Sequence, residues 1–248
     1  MKVQEAGCCS LRNLSLEAQK NVAIAAKGGI EVVMRAMGSH EPSAGVQEAG
    51  CGALRNLAFN TENKVAISAK GGIDAVLVAM GAHGPSAGVQ AQGCAALCNL
   101  TFNHAENMMA IASKGGIGAV VWAMGAHVSI VGVQESGCGA LCNLAFNNAE
   151  NQLAIAAKGG IEAVVAAMGA HESIVPVQEQ GCGALRNLSL NEDNEMAIAA
   201  KGGIGAVVRA MRAHRSSVGV QEQGCSFLHN IAWSDSGLRS QVISLLLG

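Results

Sequence analysis

The pattern Val-Gln-(Glu/Ala)-x-Gly-Cys begins at Val3, Val46, Val89, Val133, Val177 and Val220, at intervals of 43, 43, 44, 44 and 43 residues. A period of this size means that each block is one supersecondary unit. Such a unit cannot bury its apolar face alone, so successive blocks stack and cover one another. The extra residue enters at one place, where Phe59-Asn60-Thr61-Glu62-Asn63 becomes Phe102-Asn103-His104-Ala105-Glu106-Asn107. Length changes collect in connections, so a loop lies there.

One block reads as three helices. The first covers Asn63 to Lys70 and stops at Gly71-Gly72. The second runs from Ile73 to about Met80, and the third from about Val89 to Thr101. A Lys-Gly-Gly stop recurs at Lys27, Lys70, Lys114, Lys158 and Lys201. Glycine past a helix end takes the left-handed conformation that closes the last turn, and a lysine there complements the negative end of the dipole. Asn103 with Glu106, and Asn147 with Glu150, resemble capping boxes that open first helices. On the third helix Cys51, Leu54 and Leu57 recur at steps of three and form the buried stripe. Half the residues are apolar but only 2% are aromatic. The core is therefore expected to be aliphatic, with Met and Cys.

Three helices per 43 residues, a glycine break after the first and an Asn near the end of the third: the chain resembles the armadillo family over essentially its whole length. Two-helix HEAT repeats share the period, and the short first helix favours armadillo. The resemblance implies an all-α, right-handed α-α superhelix, an armadillo solenoid with about five full three-helix repeats. The expected divisions of this single domain are a partial unit at 1–16, repeats at 17–59, 60–102, 103–146, 147–190 and 191–233, and a partial unit at 234–248. Neither end carries a distinct polar cap, so homo-oligomers through the ends are one expectation.

In the family, third helices line a concave groove in which an Asn holds the backbone of an extended peptide. The matching residues are Asn13, Asn56, Asn99, Asn143, Asn187 and Asn230. An amide offers donors and an acceptor, so it pairs a peptide unit in either sense. At ~10 Å per repeat the row spans ~50 Å, or ~15 extended residues. The alternative is that each Asn bonds only within the scaffold. Importin-alpha-like members carry a Trp one turn earlier. Here Cys9, Gly52, Ala95, Gly139, Gly183 and Ser226 stand there, so the clamp for lysine stems is missing and nuclear-localisation signals are not the expected ligand. Two turns before the Asn lie Glu5, Glu48, Glu135, Glu179 and Glu222, with Ala91 breaking the series. Just before it lie Arg12, Arg55, Cys98, Cys142, Arg186 and His229. These give a mixed groove, acidic at its floor and basic along one side at each end. Alternatively the Glu and Arg side chains pair with one another across repeats. The candidate peptide-binding set is thus the six asparagines with Glu48, Glu135, Glu179, Arg55 and Arg186.

No catalytic residue, metal site or cofactor is expected. The cysteine ladder (Cys8, Cys51, Cys94, Cys138, Cys182, Cys225) and the histidine ladder (His40, His83, His127, His171, His214) stand at ~10 Å steps. That spacing is too wide for disulfides or for a shared metal ion. The cysteines read as small buried hydrophobes and the histidines as partners of helix C-termini. Lys-Gly-Gly reverses the order of a phosphate loop, and the lysines read as solvated. A net charge of −2 speaks against nucleic acid. The longest apolar stretch, Gly116 to Ala126, is about half a membrane span. With no apolar signal core near Met1, the chain is expected to be intracellular, in cytoplasm or nucleus. The expected function is a non-enzymatic scaffold for a protein or extended peptide. The alternative is a structural or self-assembling array, consensus-like or engineered, with no dedicated peptide ligand.

Overall fold

The computed structural model describes the backbone of residues 2–15, 18–234 and 236–247, and the side chains of all of these except Lys2, Ala18, Gln19 and Ser234. The expected boundary at Leu16 and Glu17 lies outside them. Every regular element among the described residues is a helix. A lone third helix, α1 (Lys2–Leu14), precedes the first full repeat, made of α2 (Ala18–Ala26), α3 (Gly29–Ser39) and α4 (Ala44–Leu57). The second comprises α5 (Thr61–Ala69), α6 (Gly72–Ala82) and α7 (Ala87–Thr101), and the third α8 (Ala105–Ser113), α9 (Gly116–Ala126) and α10 (Val131–Ala145). The fourth comprises α11 (Ala149–Ala157), α12 (Gly160–Ala170) and α13 (Val175–Leu188), and the fifth α14 (Glu192–Ala200), α15 (Gly203–Ala213) and α16 (Val218–Ser234). A final first helix, α17 (Ser236–Leu247), follows. The chain is an all-α armadillo solenoid. Its contacts gather into two compact units, Met1–Ala123 and Met124–Gly248, which divide inside α9 and not at a linker. Each repeat touches mainly its sequence neighbours, so no extended segment marks the division.

First and second helices are two rods set at an angle, with bends of 71°, 73° and 71° in the second to fourth repeats. The bend is made by the first glycine of each pair, at φ near +80° in Gly28, Gly71, Gly115, Gly159 and Gly202. The extra residue of the longer blocks also takes a left-handed conformation, at Asn103 (φ 53°) and Asn147 (φ 49°). These asparagines are therefore not the caps expected from the sequence. The caps are the next residues: His104 Nδ1 accepts from Asn107 N at 3.3 Å and Asn148 Oδ1 from Asn151 N at 2.9 Å. In the shorter block Asn60 does the same for Asn63 N.

The third helices carry the core: Cys51, Ala53, Leu54 and Leu57 are fully buried, and so are their counterparts Cys94, Ala96, Leu97 and Leu100. Each second helix is keyed to the third helix of its own repeat. A methyl placed on Gly50, Gly93, Gly137 or Gly181 would fall 2.5–2.6 Å from Cγ of Met37, Met80, Met124 or Met168. A buried Gln then closes the second helix: Gln90 Nε2 donates to Met80 O (2.8 Å) and His83 O (3.1 Å), and Gln178 does the same at Met168 O and His171 O (2.9 Å each). The histidines tie one repeat to the last, with Nε2 of His83, His171 and His214 donating to Glu41 O, Val128 O and Glu172 O at 2.7 Å. Three of the lysines read as solvated stay about half exposed and are also paired across repeats, Lys70–Glu31 and Lys114–Asp74 at 2.7 Å and Lys201–Glu162 at 2.9 Å. No single helix among the described residues is long and apolar enough to cross a membrane.

Candidate peptide-binding face

Asn56 Nδ2 donates to Arg12 O at 2.8 Å, Asn99 Nδ2 to Arg55 O at 2.9 Å, Asn187 Nδ2 to Cys142 O at 2.8 Å and Asn230 Nδ2 to Arg186 O at 3.2 Å. Each acceptor is a carbonyl in the last turn of the preceding third helix, a group the helix cannot satisfy by itself. The asparagines therefore staple successive third helices, and this bond also fixes each amide's orientation. Asn56 and Asn187 are buried, Asn99, Asn143 and Asn230 are half-buried, and Asn13 is exposed.

None of the glutamates on this face is buried, and none pairs with its arginines. Glu5 lies over the second residue of α4, where a methyl on Gly45 would fall 2.7 Å from its Oε1. Glu48 lies in the same way over Gly88 at the start of α7, and Glu179 over Gly219 at the start of α16. A carboxylate there meets the free N–H groups and positive end of the next helix. Glu135 is exposed, and the residue in that position at the start of α13 is Pro176.

Two of the positions where importin-alpha-like members have Trp, Gly52 and Gly183, are closed by neighbouring side chains. A methyl on Gly52 would fall 2.7 Å from Arg12 Cδ and 3.2 Å from Gln92 Oε1, and one on Gly183 would fall 3.1 Å from Cys142 Sγ. Burial pushes the Cys142 thiol up to about 11 against the opposing pull of Arg186.

The arginines reveal an arrangement that the sequence reading missed. In the first unit Arg55 Nη1 reaches the next third helix and donates to Gln92 Oε1 at 3.3 Å, while Asn56 Oδ1 is buried without a partner. In the second unit Arg186 turns back onto its own helix. Its Nε and Nη2 donate to Asn187 Oδ1 at 3.1 and 2.7 Å, and Gln223 Oε1 is the buried acceptor left without a donor. One guanidinium thus serves two amide oxygens, and the same triad shows both choices. An unpaired buried acceptor costs about 1–3 kcal/mol, so each triad is one donor short. Gln at the fourth position of the Val-Gln pattern was the available signal.

Among the described residues no cluster of His, Cys, Asp or Glu could hold a metal ion, and all nine cysteines are free. Cys225 departs from its ladder: it is exposed, whereas Cys8, Cys51, Cys94, Cys138 and Cys182 are buried.

The family model described as LRRK2 ARM repeat matches residues 26–203. No curated protein sequence matches the chain. Among solved structures, an engineered protein superposes with a TM-score of 0.79 at 25% identity, covering 92% of this chain and 90% of that one. A designed armadillo repeat protein gives 0.78 at 15% identity, with 91% and 92% covered. A chain from a structure concerning a phosphorylation switch in the interaction between cadherin and β-catenin gives 0.76 at 20% identity. It covers 94% of this chain and 45% of that one. At such identities the last two establish likeness of fold alone. The chain belongs to the LRRK2 ARM repeat family of armadillo proteins.

Proposed function

We propose that the chain is a non-catalytic scaffold whose third helices hold extended protein segments within each unit, at the Arg55–Asn56–Gln92 triad of the first and at the Arg186–Asn187–Gln223 triad of the second. The observation that carries this reading is the half-buried guanidinium in each triad, which stands beside two amide oxygens, bonds one of them and keeps further N–H donors. A partner's backbone carbonyl takes one of the remaining guanidinium N–H groups. Asn99 and Asn143, beside Cys98 and Cys142, lack an arginine and act as neutral rungs. The test is a peptide selected from a random library against the whole chain. Arg186→Ala, and separately Asn99→Ala with Asn143→Ala and Asn187→Ala, are expected to weaken it about tenfold or more, with helicity retained. Unchanged affinity in either variant, or a library that yields no binder, overturns the reading.

End-to-end assembly is the second reading, and one observation favours it. A methyl on Gly7 meets nothing within 4 Å, whereas each equivalent glycine receives a Met. The empty notch opens into a cavity of about 440 Å³ between α1 and α3, lined by Val3, Cys8, Leu11, Val32 and Ala36. A helix of a second copy fits such a seat. Mass measured by light scattering is then expected to rise with concentration, and Gly7→Glu to abolish the rise. A monomer at every concentration rejects it.

A further inference from the structure

The chain has only six aromatic residues, and five of them, Phe59, Phe102, Trp122, Phe146 and Trp233, are exposed; Phe227 alone is buried. A protein this poor in rings would be expected to bury them. Phe146 and its repeat counterpart Leu190 (56% exposed) stand in the connections that lead into α11 and α14, and on those helices Leu153 (45%) and Met196 (61%) face solvent. One turn earlier on the same outer face lie Glu150 and Asp193, both exposed. The two helices are neighbours in register, since Asn194 Nδ2 donates to Gln152 O at 3.2 Å. The second unit thus presents a row of acids beside a row of large apolar side chains. Neither α11 nor α14 contains Lys or Arg; of the two lysines just past them, Lys158 is exposed and Lys201 is paired with Glu162.

We propose that the outer face of α11 and α14 docks a basic amphipathic helix of a partner protein, whose apolar side chains meet Leu153 and Met196 and whose Lys or Arg side chains meet Glu150 and Asp193. Charge selects this occupant, because an acidic border repels anionic lipid surfaces and acidic peptides and attracts cations. Geometry agrees. Packed helices stand ~10 Å apart, and seven residues of an α-helix rise ~10.5 Å. A helix laid across the pair therefore brings one apolar residue per heptad over each first helix, with a basic residue one turn away. This face is separate from the third-helix triads and does not depend on them.

The probe is a synthetic helix of about 20 residues built from Leu, Ala and Lys, with Leu at heptad spacing, followed by fluorescence anisotropy against the whole chain. Wild type is expected to bind it, and not the same peptide with Glu for Lys. Leu153→Gln with Met196→Gln is expected to weaken binding about tenfold or more, and Glu150→Lys with Asp193→Lys at least as much. Glu41→Lys with Glu172→Lys, equal in charge but elsewhere, and Arg186→Ala are expected to leave it within about twofold. All substituted side chains except Arg186 are exposed, and unchanged circular dichroism confirms the fold. The proposal is overturned if wild type does not bind, if the Gln variant binds as well as wild type, if the distant charge reversal costs as much as the local one, or if anionic vesicles bind where the peptide does not.

Discussion

Replacing Met168 with Ala is expected to destabilise the protein by about 2–5 kcal/mol, read as a lower urea midpoint and faster amide exchange in α12 and α13. Met168 is 1% exposed and its thioether fills the notch over Gly181. Its removal opens a cavity where a second helix is keyed to its third helix. The opposite change sharpens the argument. Gly181→Ala gains about 1 kcal/mol of helix propensity, but its methyl would lie 2.6 Å from Met168 Cγ and 2.8 Å from Sδ. The buried Met cannot swing into solvent, so overpacking of about 1–3 kcal/mol prevails and the net change is destabilising. Gly169→Ala, whose methyl meets nothing within 4 Å on the exposed side of α12, keeps the propensity gain. Combining Met168→Ala with Gly181→Ala is expected to cost less than the sum, because the new methyl occupies part of the void. If Gly181→Ala stabilises as much as Gly169→Ala, the keyed contact is not a packing constraint. Local exchange is the preferred measurement, because an array held by neighbour contacts need not unfold in one step.

At pH 8, iodoacetamide is expected to modify Cys225 readily and to leave Cys51, Cys94 and Cys182 intact until the chain unfolds. Burial drives these three thiols up to about 12, with smaller contributions from Glu48 at Cys51, from Cys98 and Cys51 at Cys94, and from Glu179 at Cys182. A shift from 9.0 to about 12 leaves about a thousandfold less thiolate, the reactive form. Cys225 holds the equivalent place on α16 but is exposed. Peptide mass mapping that finds Cys51 labelled as fast as Cys225 contradicts this packing. The same shifts predict alkaline sensitivity. The folded thiols keep their protons to higher pH than the unfolded ones, so between about pH 9 and 12 the native state binds more protons and stability falls as pH rises. The contribution is complete below the unfolded pKa and declines by about 1.4 kcal/mol per pH unit for each thiol above it.

Much of this architecture was legible in the sequence because a repeated pattern averages away local ambiguity. The glycine stops, the loop at the extra residue and the buried stripe of Cys51, Leu54 and Leu57 each recur, and helix starts and stops follow from local sterics and caps. The capping position was misplaced by one residue because Asn103 and Asn147 absorb the insertion in a left-handed turn, which composition does not mark. At the candidate site the spacing identified a face but not its neighbours. Asn56 and Glu48 share a face of α4, yet one reaches back to the end of α1 and the other forward to the start of α7.

From the sequence alone came the repeat, the three-helix unit and the ladder positions, since these depend on interactions within a few residues and on a period that any stacking must respect. Only tertiary structure decided what each rung does: which asparagine is a staple, which arginine turns back on its own helix, and that the rings lie outside. Those outcomes depend on side chains about 40 residues apart meeting across a helix interface, and a linear pattern carries no term for that encounter.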